Sequence, residues 1–275
     1  MIKNINKKFT FNSNKNDYLS FFVTNGYLVF KDIFSKKYSN QLLKFILSKR
    51  KLIERKYKKV DTEQMCISIM DLLEKDNLFD EFSFNEKLQN ILINILGQEL
   101  CIFNFPHLWI NKPNNKNPVL VKTPHMDAWT GTSTNTLFAV YMATNSDKFN
   151  SISVYPGSHL LGLVPSKNRT INQQDFKIEF KNSANLKLLK GDLIIWHALL
   201  LHKTTGQSNN KERISITLRY SSTETPFSSQ ERSIGYRCIN TGPLNTIKRY
   251  IGNDQLAPFR LYGGYPGIDQ RLRKI

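Results

Sequence analysis

Residues 191–220 read GDLIIWHALLLHKTTGQSNNKERISITLRY, and their pattern decides the fold. Gly191-Asp192 is a turn pair, an apolar run follows from Leu193, and His202 closes that run just before the polar loop KTTGQSNNKE. From Arg213 the chain alternates. Arg213, Ser215, Thr217 and Arg219 fall on one face of an extended strand, with Ile214, Ile216, Leu218 and Tyr220 on the other. A face this polar either meets solvent or lines a polar pocket.

Upstream the same texture reaches back to residue 101. CIFNF, HLWIN, TLFAVYMA, SISVYP and LKLLKG are short apolar or alternating segments separated by Asn, Pro, Gly, Ser and Lys clusters. Many short strands with turn signals between them describe a β-sandwich or jelly roll. The N-terminal third is helical instead. YLSFFVTNGYLVFK (18–31) predicts a helix end, a turn at Asn25-Gly26 and a strand over Tyr27–Phe30. Behind Ser35 as N-cap, Tyr38, Leu42, Leu43, Phe45, Ile46 and Leu47 recur at helical spacing, and further helices are expected over 62–73 and 84–96, the last ending at Gly97. The fold class is mainly β with a helical N-terminal third (α+β). One domain is expected over 1–275: a helical part over about 18–100, a β core over about 101–220, and a C-terminal extension over 221–275 that wraps the core.

The 275 residues include 40% hydrophobic and 12% aromatic side chains, which excludes wholesale disorder. The N-terminal stretch does not read as a secretory leader, so none is expected, and no run approaches the length of a membrane span. Cys66, Cys101 and Cys238 are scattered and read as small core residues, so a cytoplasmic location is expected. The formal charge of +17 invites a nucleic-acid or anionic-substrate reading. Lysine and asparagine, 28 of each, have A/T-rich codons, so part of that charge reflects composition. The Lys/Arg run over 49–59 carries one aromatic, Tyr57, rather than a series of stacking platforms, and reads as a solvated helical face rather than a nucleic-acid patch.

The histidines are His107, His125, His159, His197 and His202, all in the β region. His125-Met126-Asp127 places an imidazole and a carboxylate on the same side of an extended segment, within reach of one cation. A turn aspartate beside an ordinary histidine would look the same. Joined with His202, the pair makes two imidazoles and one carboxylate, the donor set of non-haem Fe(II) oxygenases, with three positions left for other ligands. Zinc suits it less, because catalytic zinc keeps only one position open. Arg213 adds a guanidinium able to grip a carboxylate bidentately. His197 falls on the opposite strand face from His202, His159 anchors a turn in YPGSH, and His107 reads as structural.

The ordered set HMD (125–127), YPGSH (155–159), GDLIIWHALLLH (191–202) and NNKERISITLRY (209–220) resembles the phytanoyl-CoA dioxygenase family of Fe(II)/2-oxoglutarate oxygenases. NGYLVFKDIFSKKYSNQLL (25–43) is similar to that family's opening strand and helix. The resemblance spans roughly 18–220 and implies a double-stranded β-helix. It implies His125, Asp127 and His202 as catalytic iron ligands and Arg213 on the distal carboxylate of 2-oxoglutarate, with Thr204 bonding that carboxylate and Tyr141 lining the co-substrate pocket. Thr204 also reads as a loop cap and Tyr141 as a core residue. Met126 departs from the family's usual polar residue at the middle of the motif.

The activity implied is O2-dependent hydroxylation of an unactivated carbon, with 2-oxoglutarate leaving as succinate and CO2. Desaturation and ring closure stay open. Asp127 argues against halogenation, because related halogenases have a small residue there. The expected partner is a small molecule, with no nucleic acid and no membrane. The positive field favours an acidic substrate such as a phosphate, carboxylate or CoA ester, and Trp129, Thr130 and Thr132 are candidate substrate contacts. Arg219 is a second candidate anion contact. The rival readings are a non-catalytic β-helix binding or assembly module and an oxygenase acting on nucleic acid.

Overall fold

The computed structural model describes residues 5–104, 106–112, 123–146, 149–167, 170–171, 183–205, 211–225, 236–240 and 242–250. Helix α1 (Lys15–Asn25) is capped by the Asn14 side chain and stops at Gly26, where φ is 79°. Side chains rarely tolerate that backbone conformation, and space forbids one too: a Cβ on Gly26 would stand 2.5 Å from His159 Nδ1. The turn delivers the chain into β1 (Tyr27–Phe30), the strand predicted there. Helix α2 (Lys36–Lys56) begins where expected, with the Ser35 hydroxyl accepting from the Tyr38 amide at 3.0 Å. Leu42, Ile46 and Ile53 turn inward while Lys51, Arg55 and Lys56 stay exposed, so the basic run is a solvated face.

Helix α3 (Thr62–Leu73) occupies its predicted span. Helix α4 (Asn77–Ser83) was not expected; Asp76 caps it and Phe79 and Phe82 anchor it, but so short a helix offers little periodicity to read. Helix α5 (Glu86–Leu96) starts at Glu86 rather than Phe84 because Asn85 caps it, and it ends at Gly97.

The strands that follow are β2 (Leu100–Phe103), β3 (His107–Asn111), β4 (Leu137–Met142), β5 (Ile152–Val154), β6 (Ser166–Lys167), β7 (Thr170–Ile171), β8 (Ala184–Asn185), β9 (Leu193–His197), β10 (His202–Thr204), β11 (Arg213–Ser222) and β12 (Tyr236–Cys238). The larger sheet runs β1-β9-β4-β11-β2-β12, and β3 takes the Arg213–Thr217 part of the β11 edge whose Tyr220–Ser222 part pairs with β2. The smaller sheet is β10-β5-β8, and β6 pairs with β7. Every named pairing is antiparallel.

All ten residues of β11 are buried although polar and apolar types alternate along it. One face is therefore core and the other lines an interior. On the outer face Tyr141, in register with Ile216, packs against Phe34, Tyr38 and Phe82, and the Tyr220 hydroxyl donates to the Ser83 carbonyl at 3.1 Å. Helices α2 and α4 thus cover that face, which turns the polar face of β11 toward the smaller sheet.

LKLLKG does not form a strand beyond Asn185. Leu186 and Leu188 are buried as alternation demands, but side chains satisfy much of the backbone: Lys187 N–H donates to Asn6 Oδ1 at 3.0 Å and Leu188 N–H to Ser146 Oγ at 3.2 Å. Of the C-terminal extension, β12 joins the large sheet at the β2 edge, and helix α6 (Pro243–Tyr250) follows it. Residues 251–275 lie outside the described residues, as does most of the loop after Thr205. Cys66 and Cys101 are buried as expected, whereas Cys238, on the edge strand β12, is exposed.

Candidate metal centre

Two segments of main chain bring the first histidines together. His125 and His202 form an isolated antiparallel bridge, His125 N–H donating to the His202 carbonyl and His202 N–H to the His125 carbonyl, both at 3.0 Å. Directly bridged residues present their side chains on the same face of a sheet, and the two imidazole centroids stand 4.3 Å apart. The chain then turns into a short 3-10 helix (Asp127–Thr130) that swings the Asp127 carboxylate under the two rings. His125 Nε2 lies 3.9 Å from Asp127 Oδ1 and His202 Nε2 3.6 Å from Asp127 Oδ2. One donor atom from each residue falls within 4.8 Å of the others, so the three can share one cation.

The backbone also sets the tautomers. His125 Nδ1 sits 3.0 Å from the Thr123 carbonyl and His202 Nδ1 3.0 Å from the Leu200 carbonyl. A carbonyl only accepts, so each Nδ1 carries the proton and each Nε2 turns a lone pair inward. This is how metal-binding histidines are commonly oriented. Met126 is fully buried, its side chain spent on the core.

Arg213 is 3% exposed on the inner face of β11. Its Nη2 donates to Thr204 Oγ1 at 3.3 Å, and the Asn111 amide, turned with its oxygen toward the guanidinium, accepts from Nε at 3.1 Å and from Nη2. Nη1 is buried with no hydrogen-bond partner among the described residues. Burial holds the guanidinium down to about 10, because no carboxylate among the described residues offsets its loss of hydration. A buried cation with an orphaned donor fits an anion such as the distal carboxylate of a 2-oxo acid. Thr204 is two residues beyond His202 on β10, so the guanidinium reaches the strand that carries an imidazole of the cluster.

The structure therefore brings together His125, Asp127, His202, Arg213 and Thr204. Tyr141 is not among them. It lies on the outer face of β4, in register with Ile216 rather than with Ser215, and its hydroxyl donates to Ser39 Oγ at 2.7 Å. Burial in that aromatic cluster pushes its phenol up to about 12. Tyr141 does not line a co-substrate pocket, for it points out of the barrel.

His159 donates from Nε2 to the Val23 carbonyl at 3.0 Å, and its ring centroid lies 5.8 Å from that of His197, on the outer side with Phe22. Trp129 Nε1 donates to the Val164 carbonyl at 2.6 Å and Thr130 Oγ1 to the Asp127 carbonyl at 2.7 Å, while Thr132 is buried. His107, read as structural, stacks on Trp109 at 5.5 Å and 6°, both on the inner face of β3. Asn111 and Trp196 were not singled out in the sequence. An asparagine closing an otherwise apolar-aromatic strand was the available signal for the first; a tryptophan inside LIIWH reads as core.

A family model described as phytanoyl-CoA dioxygenase (PhyH) matches residues 22–215. The chain belongs to the phytanoyl-CoA dioxygenase family. It is accordingly an Fe(II)- and 2-oxoglutarate-dependent oxygenase, and the donor set just described fits both the metal and the co-substrate. No curated protein matches this family member. Among solved structures, the epimerase SnoN in complex with Fe3+, alpha ketoglutarate and nogalamycin RO is 16% identical, with TM-score 0.63 over 78% of this chain and 86% of that one. The non-heme monooxygenase ThoJ is 14% identical, with TM-score 0.63 over 93% and 97%. EctD from S. alaskensis, bound to 2-oxoglutarate and 5-hydroxyectoine, is 15% identical, with TM-score 0.59 over 79% and 80%. These likenesses establish the fold, a double-stranded β-helix with an added helical N-terminal region.

Proposed function

We propose that this family member hydroxylates an unactivated carbon of a small anionic metabolite in the cytoplasm. His125, Asp127 and His202 hold Fe(II), and Arg213, steadied by Thr204 and Asn111, holds the distal carboxylate of 2-oxoglutarate. The observation that carries the reading is the bond from Arg213 to Thr204, which ties the buried, half-satisfied guanidinium to the strand face that presents His202.

When bound, the metal and co-substrate supply the oxidising power, O2-dependent decarboxylation to succinate and CO2 coupled to attack on a substrate C–H bond. The chain's own residues orient and exclude water. The two Nδ1–H bonds to carbonyls fix the planes of the imidazoles, and Asp127 brings one negative charge, so the site keeps a net positive charge for an anionic chelator. Arg213 fixes the far end of that chelator and sets its angle at the metal.

A carboxylate at 127 fills the space a halide would need, which favours hydroxylation. SnoN is described as an epimerase and SnoK as a carbocyclase on the same fold, so product analysis must cover isomerisation and ring closure as well. The anionic substrate rests on the +17 charge, and the cytoplasm on three free cysteines. No helix among the described residues is long and apolar enough to cross a membrane. The basic helix offers a single exposed aromatic at its end, Tyr57, rather than a row of stacking platforms, which speaks against nucleic acid.

The test is anaerobic addition of Fe(II) and then 2-oxoglutarate. A weak visible charge-transfer band should develop in the wild type and require far more 2-oxoglutarate in R213A. A blank wild-type spectrum would leave the β-helix a binding module and overturn the reading. Candidate acids, phosphates and CoA esters are then ranked by succinate released.

A further inference from the structure

We infer that Trp196 is a positioning residue for the metal: its indole N–H selects the plane of the Asp127 carboxylate and thereby how that carboxylate meets the cation. The inference rests on the proposed ligation. Trp196 is a β9 residue, 5% exposed, on the face opposite His197. Its register partner on β4 is Phe138, and the two rings stack at 6.2 Å and 10°. That stacking holds the indole by its face and leaves its edge to point. The edge points at the cluster: Nε1 donates to Asp127 Oδ2 at 2.9 Å, and the ring centroid lies 4.7 Å from that of His202.

Three physical consequences follow. The terminal torsion of an aspartate is broad and roughly two-fold, so an outside bond decides which way the carboxylate plane faces. An indole N–H is a donor only; it draws charge toward Oδ2 and favours a one-oxygen grip on the metal over a symmetric two-oxygen grip, which would take a position the co-substrate or O2 needs. The same ring also lies against the His202 imidazole, so one rigid side chain borders two of the three donors and couples them to the floor of the large sheet. Phenylalanine could provide the stacking but not the bond. That separates packing from positioning.

The experiment is a double-mutant cycle on Co(II) affinity of the metal-free protein, read by the cobalt ligand-field spectrum without 2-oxoglutarate or turnover. W196F should raise the Co(II) Kd roughly 10-fold, the lower end for loss of a partner to a metal-bound group. In a D127A background the same W196F change should do nothing, because there is no carboxylate left to orient. W196F should also change the Co(II) spectrum as the carboxylate reorients. Equal loss of affinity in both backgrounds would make Trp196 a packing residue and overturn the inference, as would an unchanged Kd in W196F alone. Should W196F not fold, β-(3-benzothienyl)alanine at 196 replaces N–H by sulfur in the same ring frame and serves in the same cycle. Wild-type protein that takes up neither Co(II) nor Fe(II) with 2-oxoglutarate would sink the functional reading itself, a result distinct from a flat cycle in a protein that binds metal.

Discussion

The two faces of the large sheet are built from the same strands and are about equally dry, yet they do different work. Outward, Tyr141 packs on Phe34, Tyr38 and Phe82 on the face shared with buried Ile216, Leu218 and Tyr220, and the two tyrosine hydroxyls end on a hydroxyl and a carbonyl. Inward, Arg213, Thr217 and Trp196 keep polar groups that bond across to other elements, and Arg213 Nη1 has no partner among the described residues. Burial by itself therefore does not mark a core. What separates the faces is the guanidinium: the outer tyrosine hydroxyls end on partners within the fold, whereas a buried charged donor of Arg213 is left for a ligand.

That contrast can be broken at either face. The largest effect is expected from D127A or H202A, which remove a proposed ligand: metal affinity should fall by more than the roughly 10–100-fold that loss of an outer partner costs, measured by Fe(II) or Co(II) titration, while the melting temperature of metal-free protein changes little. Next, R213A removes a charged bond worth about 1.5–3 kcal/mol, so the KM for 2-oxoglutarate should rise on the order of 10- to 150-fold with a smaller change in kcat. Wild-type protein should also gain thermal stability from 2-oxoglutarate and R213A should not, because the dianion relieves a cation that burial has destabilised. An unchanged KM in R213A would erase the distinction between the faces.

Smaller effects belong to the outer face. His197 is lowered to about 4 from 6.5, first by burial and then by the neighbouring His159. The unfolded chain takes up this proton below about 6.5 and the folded one does not, so stability is held above that pH and lost as pH falls from 6.5 toward 4. Urea midpoints across that window should show the loss, at most about tenfold in the folding constant per pH unit for one site. The slope should flatten in H197N, whose amide oxygen can accept from Leu199 in place of Nδ1. Smallest of all, Y141F should cost about 1 kcal/mol by removing the bond to Ser39 and leave the KM for 2-oxoglutarate where it was. A raised KM would return Tyr141 to the pocket.

Alternation and caps carried much of the fold in the sequence: Ser35, Gly26 and Gly97 mark ends that the structure keeps, and the polar-apolar alternation of 213–220 marks both faces of β11. The cluster His125, Asp127 and His202 was legible only in combination: HMD alone reads equally as a turn aspartate beside an ordinary histidine, and it took His202, the spacing to Arg213 and the family resemblance to single out the three. What escaped depended on register. Tyr141 and Met142 are adjacent, and only the pairing of β4 with β11 shows that Met142, beside Ser215, is the inward one. LKLLKG alternates like a strand, but side chains rather than a neighbouring ladder take up much of its backbone. Asn111 and Trp196 matter through a partner far away in sequence, Arg213 and Asp127, and no local pattern names a partner.

The mutual main-chain bridge of His125 and His202 has a kinetic consequence. Those two residues are joined once by their amides and, under the proposed ligation, a second time by a common ion. Each link restrains the other, so the ion works as the pin of a clasp that closes the long excursion of chain between them. Withdrawing the pin leaves two hydrogen bonds at a sheet margin, the kind of local opening that exchanges its amide protons first. Chelation should therefore speed deuterium uptake at His125 and His202 well before the helices covering the opposite face respond, and slow reloading would then measure how fast the clasp re-forms rather than how fast the ion diffuses.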